Sequence, residues 1–414
     1  MSCLTGSSLT AEVLDPATRP TAADFPALER PPVIWEDDRW WRFTERTDLH
    51  ETRYLGVYEG SVLVALAPLL VTRDGGGLLF YDAPKMVGDL GAFGDPERLP
   101  ERGQARWEQL TGAVPDARRD QYPSVALSVF GSHHGIVHAI GRTGAERREV
   151  LAELPRLLDD AARTLGCRSS ALLYVTDEQA EAIGPAAEAL GHTPAVLGAE
   201  SVMRLDASDW DTYLAGLVSK KRMRTNRELG QYAKAGFRTV ISEGPDALSD
   251  SIIDLQVGLR AKYGLPGGRP RVQRDFDAIR ETVGDSILVL SAELGGETLG
   301  FCLYLRSGDA LYGRTAGFDE DRAKGVYFVL TYYETVRWCL ANGVREIWYG
   351  LAAYEAKKLR GCDIEPRQGW FRFTGAGHET LAETVRLQSA GEDLRLRSLG
   401  PTAPPHKETE PTCH

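Results

Sequence analysis

The pattern of apolar and polar positions divides the chain into two stretches that repeat one order of elements. In the first, residues 52–58 and 61–72 read as strands joined at Glu59-Gly60, and Asp74-Gly75-Gly76-Gly77 turns the chain into a third run at 78–81. An apolar run over 125–140 follows. Residues 145–165 then change to helical spacing, with Val150, Leu151, Leu154, Leu158, Ala161 and Leu165 on one face and Gly166 as the stop. A short strand at 170–175 and an alanine-rich helix at 177–190 complete the stretch.

The second stretch has strands at 286–293 and 298–306 around Gly295-Gly296, and Ser307-Gly308-Asp309 leads into a third at 310–315. A helix over 324–341 carries Val326, Leu330, Tyr333, Val336, Arg337 and Leu340 on one face and stops at Asn342-Gly343. A strand at 345–349, a short amphipathic segment at 353–360 and a strand at 370–373 follow. Meander, helix, strand, helix, strand is an α+β unit, and its recurrence predicts two tandem domains with a cleft between them. The expected boundaries are a flexible segment at 1–30, a first domain at 31–206, a basic helical connector at 207–240, a second domain at 241–388 and a flexible tail at 389–414. A length of 414 residues fits more than one core at roughly 150 residues per domain.

Composition narrows the class. Hydrophobic residues make up 43% and charged residues 26%, which excludes a disordered scaffold. The longest apolar stretch, 61–71, is about half of what a membrane-spanning helix needs, and the N-terminus lacks a basic, apolar, small-residue signal pattern. These features predict a cytoplasmic protein without membrane insertion. The 6 cysteines stand singly, which argues against a disulfide framework or structural zinc site, and Cys302 and Cys339 read as core residues.

The net charge of −11 argues against indiscriminate nucleic-acid binding but leaves room for a local basic groove. Between Ser219 and Arg238 the chain has seven basic residues, Lys220, Lys221, Arg224 and Arg227 among them, and one acid. On a helix, Lys220, Arg224 and Arg227 or Glu228 share one face, which suits either a polyanion or plain solvent. Residues 260–280 hold six basic and two acidic residues, and 357–372 hold five and two.

The Lys220-Lys221-Arg222 segment with its basic helix, the meander ending in Gly313-Arg314-Thr315-Ala316-Gly317, Tyr332-Tyr333-Glu334 on a helix, Asn342-Gly343, and Gly350 with Tyr354-Glu355-Ala356-Lys357-Lys358 come in a telling order. That order resembles the Fem-like, peptidoglycan-bridge-type members of the GNAT (Gcn5-related acyltransferase) superfamily. The resemblance implies two tandem GNAT-like domains joined by the basic helical segment, and transfer of an acyl or aminoacyl group to an amine. It covers residues 214–361 in detail and the first half through element order alone. It also implies aminoacyl-tRNA as co-substrate, with no bound cofactor, and Lys220, Lys221, Arg224 and Arg227 as its contacts. Acyl-CoA users of the superfamily instead carry a glycine loop at the start of the central helix. Arg322-Ala323-Lys324-Gly325-Val326-Tyr327 matches that loop at Arg322 and Gly325, but has Tyr327 where a small residue lets phosphate approach the backbone. Acyl-CoA is therefore the alternative donor, and a non-catalytic module that binds cell-wall fragments is the alternative of another class.

Attack of an amine on an ester or thioester needs an oriented carbonyl, a neutral nucleophile and a donor for the oxyanion, but no metal and no covalent enzyme intermediate. Tyr312 and Arg314 stand two apart at a strand end and so would point one way, with Arg314 placed to clamp a carboxylate of the acceptor. Glu334 is a candidate base and Tyr333 a candidate proton donor, although Tyr333 also fits the buried stripe of its helix. Lys357 is a candidate oxyanion or phosphate contact, or simply an exposed lysine, and Tyr354 beside it a candidate substrate contact. His133 and His134, in Gly131-Ser132-His133-His134-Gly135, break an apolar run where backbone could approach a ligand. With no Cys or carboxylate at ligand spacing, the pair argues against a metal site. Acceptor identity and oligomeric state are not legible in the chain.

Overall fold

The structure, a computed structural model, describes residues 9–25, 33–46, 50–131, 140–265 and 267–400. Its compact units are built from Trp35–Glu200 with Glu365–Gly400, joined by the first strand, and from Ser201–Ile364.

In the first unit β1 (Leu9–Leu14), β2 (Glu51–Glu59) and β3 (Val62–Thr72) pair antiparallel in succession. β4 (Ser124–Leu127) adds antiparallel to β3, and the helix Gly144–Thr164 connects it to β5 (Ser169–Val175), which lies parallel to β4. The helix Asp177–Ala189 then leads into β6 (Thr193–Arg204). The apolar run at 78–81 is not the third strand of the meander. It forms a single 3-10 turn, Leu79–Tyr81, at the start of a helical insertion containing Glu101–Thr111 and Val114–Arg119, and β4 takes the place beside β3. The helix Gly144–Thr164 buries Val150, Leu151, Leu154, Leu158 and Ala161 against Leu69, Leu127 and Leu172 of the sheet. Each such side chain contributes about 1.5–3 kcal/mol relative to exposure. Gly166 follows this helix at φ +68°, a left-handed turn that glycine makes without a Cβ clash.

In the second unit β7 (Arg238–Glu243), β8 (Ile287–Leu294), β9 (Glu297–Ser307) and β10 (Ala310–Phe318) pair antiparallel in succession, and β11 (Glu346–Trp348) lies parallel to β10. The helices Asp250–Lys262 and Gly268–Val283 stand between β7 and β8. The chain continues through the short helix Tyr354–Leu359 into β12 (Asp363–Phe373).

Each unit thus repeats hairpin, third strand, helix, parallel strand, helix, but the closing strands are exchanged. Val202, Met203 and Arg204 of β6 pair with β11, whereas β12 pairs antiparallel with β5. The compact units therefore change over inside β6 and β12, between Glu200 and Ser201 and between Ile364 and Glu365, and not at 206 and 388. The segments expected to be flexible also contain regular structure: β1 lies within 1–30, and the helix His378–Ser398 enters the supposed tail. That helix is held in the first unit by buried polar side chains. Gln388 accepts the Gly88 amide at 2.8 Å and Glu392 the Gly94 amide at 3.2 Å.

Between β10 and β11 the helical run contains a π-helical segment, Val329–Glu334, flanked by Val326–Phe328 and Thr335–Ala341. A widened turn releases backbone carbonyls that must find other donors. Here the Thr331 carbonyl accepts the hydroxyls of Tyr304 at 3.1 Å and Tyr349 at 3.0 Å, and the Leu330 carbonyl accepts the Thr335 hydroxyl at 2.9 Å. The added residue rotates the helix face, so Tyr332 and Tyr333 are both buried while Arg337, expected on the stripe, is exposed.

Candidate functional site

The helix Ser219–Lys234 turns Thr225 inward and lays Leu229 and Tyr232 on the core of the second unit. That rotation sets which charges face protein. Lys221, Thr225 and Glu228, at i, i+4 and i+7, share the inner face, while Lys220 and Arg227 are exposed. Arg224, which spacing groups with Lys220 and Arg227, is half-buried.

On this inner face the hydroxyl of Tyr333 donates to Glu228 Oε2 at 2.6 Å. Lys221, Arg224, Thr225, Tyr333 and Arg360 line a small pocket of about 20 Å³ beside the pair. Arg360 lies with its guanidinium 3.8 Å from Glu228, 3.4 Å from the ring centroid of Phe328 and 5.3 Å from that of Tyr332, and its side chain is only 7% exposed. The π segment sets this arrangement, since it brings Tyr332 under Arg360 and Tyr333 to Glu228 from adjacent positions. Burial, with the bond to Glu228, pushes the Tyr333 phenol up to about 12, so it carries its proton throughout the physiological range. Burial holds the Lys221 ammonium below the usual lysine value, and Arg224 beside it acts in the same direction. Lys221, Arg224 and Arg360 give this small pocket a positive lining next to a protonated phenol.

The other expected site residues are dispersed. Glu334 faces away from this pocket and pairs with Arg337 at 2.6 Å, so the carboxylate that meets Tyr333 is Glu228. Lys357 is 5% exposed, and its ammonium donates to the carbonyls of Tyr349, Gly350 and Leu351 at 2.9, 2.8 and 2.8 Å. Three donors on three carbonyls make it the clamp of a loop and not an exposed helix lysine. The same loop ends in Ala352 and Ala353 at φ +63° and +51°, a left-handed pair costing about 1–2 kcal/mol per residue. Tyr354, which opens the next helix, is buried, as is Tyr312. Arg314 lies at a bulge in β10 and lines a different cavity. Arg322 forms a forked, exposed pair with Glu297 at 2.7 and 2.5 Å, and Gly325 holds φ +79° at the start of the helical run. His133 and His134 lie outside the described residues. Among the described residues no group of three or more His, Cys, Asp or Glu side chains is placed to hold a metal, and no helix is long and apolar enough to cross a membrane.

Glu228, Thr225 and Arg360 are the polar residues at this site absent from the expected set. The i, i+4, i+7 spacing of Lys221, Thr225 and Glu228 was the available signal for the first two. Arg360 carried none beyond its place in a basic stretch.

Among solved structures, FemX matches with a TM-score of 0.57 at 11% identity, over 90% of this chain and 100% of that one. A conserved protein of unknown function from Bacteroides thetaiotaomicron matches with a TM-score of 0.50 at 11% identity, over 86% of this chain and 98% of that one. A tandem GNAT protein from the clavulanic acid biosynthesis pathway matches at 15% identity and a TM-score of 0.46, over 89% and 99%. No curated protein matches the sequence. The FemAB-like family model, described as peptidoglycan biosynthesis/recognition, matches residues 109–390, well over half of the sequence. With that match this chain belongs to the FemAB-like family, and its fold is similar to that of FemX.

Proposed function

We propose that this protein moves an aminoacyl group from aminoacyl-tRNA onto an amine of a peptidoglycan precursor, forming an amide. The observation that carries the reading is the Tyr333–Glu228 hydrogen bond beside Lys221, Arg224 and Arg360. The amine nitrogen attacks the ester carbonyl, a C–N bond forms, and the bond to the 3′ oxygen of the tRNA breaks. The proton released from nitrogen passes to the Tyr333 oxygen as the phenolic proton moves to Glu228, and the departing oxygen takes a proton in turn. Such a relay suits a phenol that stays protonated until about pH 12 and already donates to a carboxylate. The cations hold the negatively charged donor end.

Aminoacyl-tRNA is favoured over acyl-CoA because Tyr327 stands in the glycine loop where a small residue would let phosphate approach the backbone. The Arg322–Glu297 pair in the same loop is exposed and weak and Gly325 has open space around it, so acyl-CoA is the donor to test against it. The test is a titration with labelled aminoacyl-tRNA at low and moderate salt, with acyl-CoA as competitor. Saturable, salt-dependent binding that CoA leaves untouched supports the tRNA donor. Acyl-CoA binding that is lost in Gly325→Trp, without tRNA binding, overturns it.

A further inference from the structure

Arg314 and Thr315 are neighbours on β10, and strand alternation would send their side chains to opposite faces. Both nevertheless line one cavity of about 130 Å³. The register of β10 against β9 shifts between Gly313 and Thr315, leaving Arg314 as the inserted residue of a bulge, which is how a strand re-aims a side chain. Gly317 keeps the helix Asp250–Lys262 tight on the same strand, since a Cβ there would lie 3.0 Å from the Leu255 carbonyl oxygen. From that helix Arg260 joins Arg314 at the cavity, and Gln256 accepts the Thr315 hydroxyl at 2.9 Å. The helix Gly268–Val283 adds an apolar wall of Val272, Phe276 and Ile279.

We propose that this cavity binds a small monocarboxylate bearing an apolar group, either a free acid or the C-terminus of a peptide. The guanidinium groups of Arg260 and Arg314 are planar forks that match a carboxylate. The apolar wall receives the carbon skeleton. Asp275 also lines the cavity and is paired with Arg271 at 3.0 Å, so the lining is net positive yet carries a carboxylate that disfavours a dianion such as phosphate. None of these residues lines the Tyr333 pocket. The site therefore stands independently of the transfer reading, and binding is measured without turnover.

The experiment is a ligand-observed NMR titration of the full chain with N-acetylalanine, its carboxamide, propanoate and inorganic phosphate. N-acetylalanine is expected to bind at least tenfold more tightly than its carboxamide and than phosphate. Propanoate equal to N-acetylalanine assigns the site to free acids, and propanoate tenfold weaker assigns it to a peptide terminus. In folded Arg314→Gln and Arg260→Gln proteins, affinity is expected to fall at least tenfold, and Arg314→Lys should recover only part of it. Equal binding of acid and carboxamide to the wild-type protein overturns the proposal whether or not the variants fold, as does phosphate binding more tightly than the acid. Unchanged affinity in both folded glutamine variants overturns it as well.

Discussion

The hydroxyl of Tyr333 donates a 2.6 Å hydrogen bond to Glu228, a residue 105 positions earlier in the chain, and Arg360 closes on the same carboxylate from 3.8 Å. The bond ties the basic helix to the π segment. In the proposed transfer, this phenol would relay the proton that leaves the attacking amine.

If that relay operates, Tyr333→Phe and Glu228→Gln each lower the single-turnover transfer rate by about 10²-fold, the usual worth of a positioned proton acceptor. Donor affinity stays within about twofold. A rate unchanged in both variants, measured by rapid quench, removes the pair from the chemistry.

The cations act differently. Arg224→Glu weakens tRNA binding at low salt and flattens the dependence of log K on log salt by about one phosphate contact for each cation lost. Lys220→Glu and Arg227→Glu, on the exposed face, are expected to have smaller effects. Filter binding across a salt series distinguishes the two faces of the helix.

Lys357 gives a stability prediction. Its replacement by Met leaves the carbonyls of Tyr349, Gly350 and Leu351 without their buried donor, a loss of about 2–4 kcal/mol. Urea unfolding of Lys357→Met should show that loss. A variant of unchanged stability and lost activity would instead make Lys357 a substrate contact.

In the first unit, Asp159 accepts the Ser170 hydroxyl at 3.1 Å, lies 3.2 Å from His192 Nε2 and pairs with Arg372. Burial alone would raise its carboxyl, but the hydrogen bond and charge of His192, with Arg372 and Ser170, outweigh it and hold the group below the usual carboxylate value. A folded value below the unfolded one gives stability that is fully present above the unfolded value, near pH 4, and is lost as pH falls through the folded one. Asp159→Asn should therefore destabilise the protein at pH 7 by about 3 kcal/mol and by progressively less as the pH falls below about 4, as read from urea unfolding across a pH series.

The second repeat was more legible than the first, for physical reasons. Its turns, Gly295-Gly296 and Ser307-Gly308-Asp309, sit between long apolar runs, and β8, β9 and β10 fall within a few residues of the expected spans. In the first repeat a four-residue apolar run at 78–81 cannot be told from a helical turn by periodicity, and the true third strand lies after a helical insertion. The helix His378–Ser398 was not expected from the sequence, because its inward face includes Thr384, Gln388 and Glu392 where a continuous apolar stripe would mark a helix. The π segment has no signature in a pattern read at 3.6 residues per turn, and this moved Arg337 outward and Tyr332 inward. Tyr333 was legible as either core or catalytic, and it is buried with a polar partner. That the partner is Glu228 and not Glu334 depends on a contact across 105 positions, which local spacing does not carry.

The most direct measurement follows the label itself. Aminoacyl-tRNA labelled in the amino acid is incubated with the protein and a peptidoglycan-precursor amine, and alkali-stable label in the precursor is counted. The account predicts amide-linked label that depends on protein and is strongly reduced in Tyr333→Phe. Label that stays on the tRNA, under conditions where acyl-CoA acylates the same amine, would contradict it.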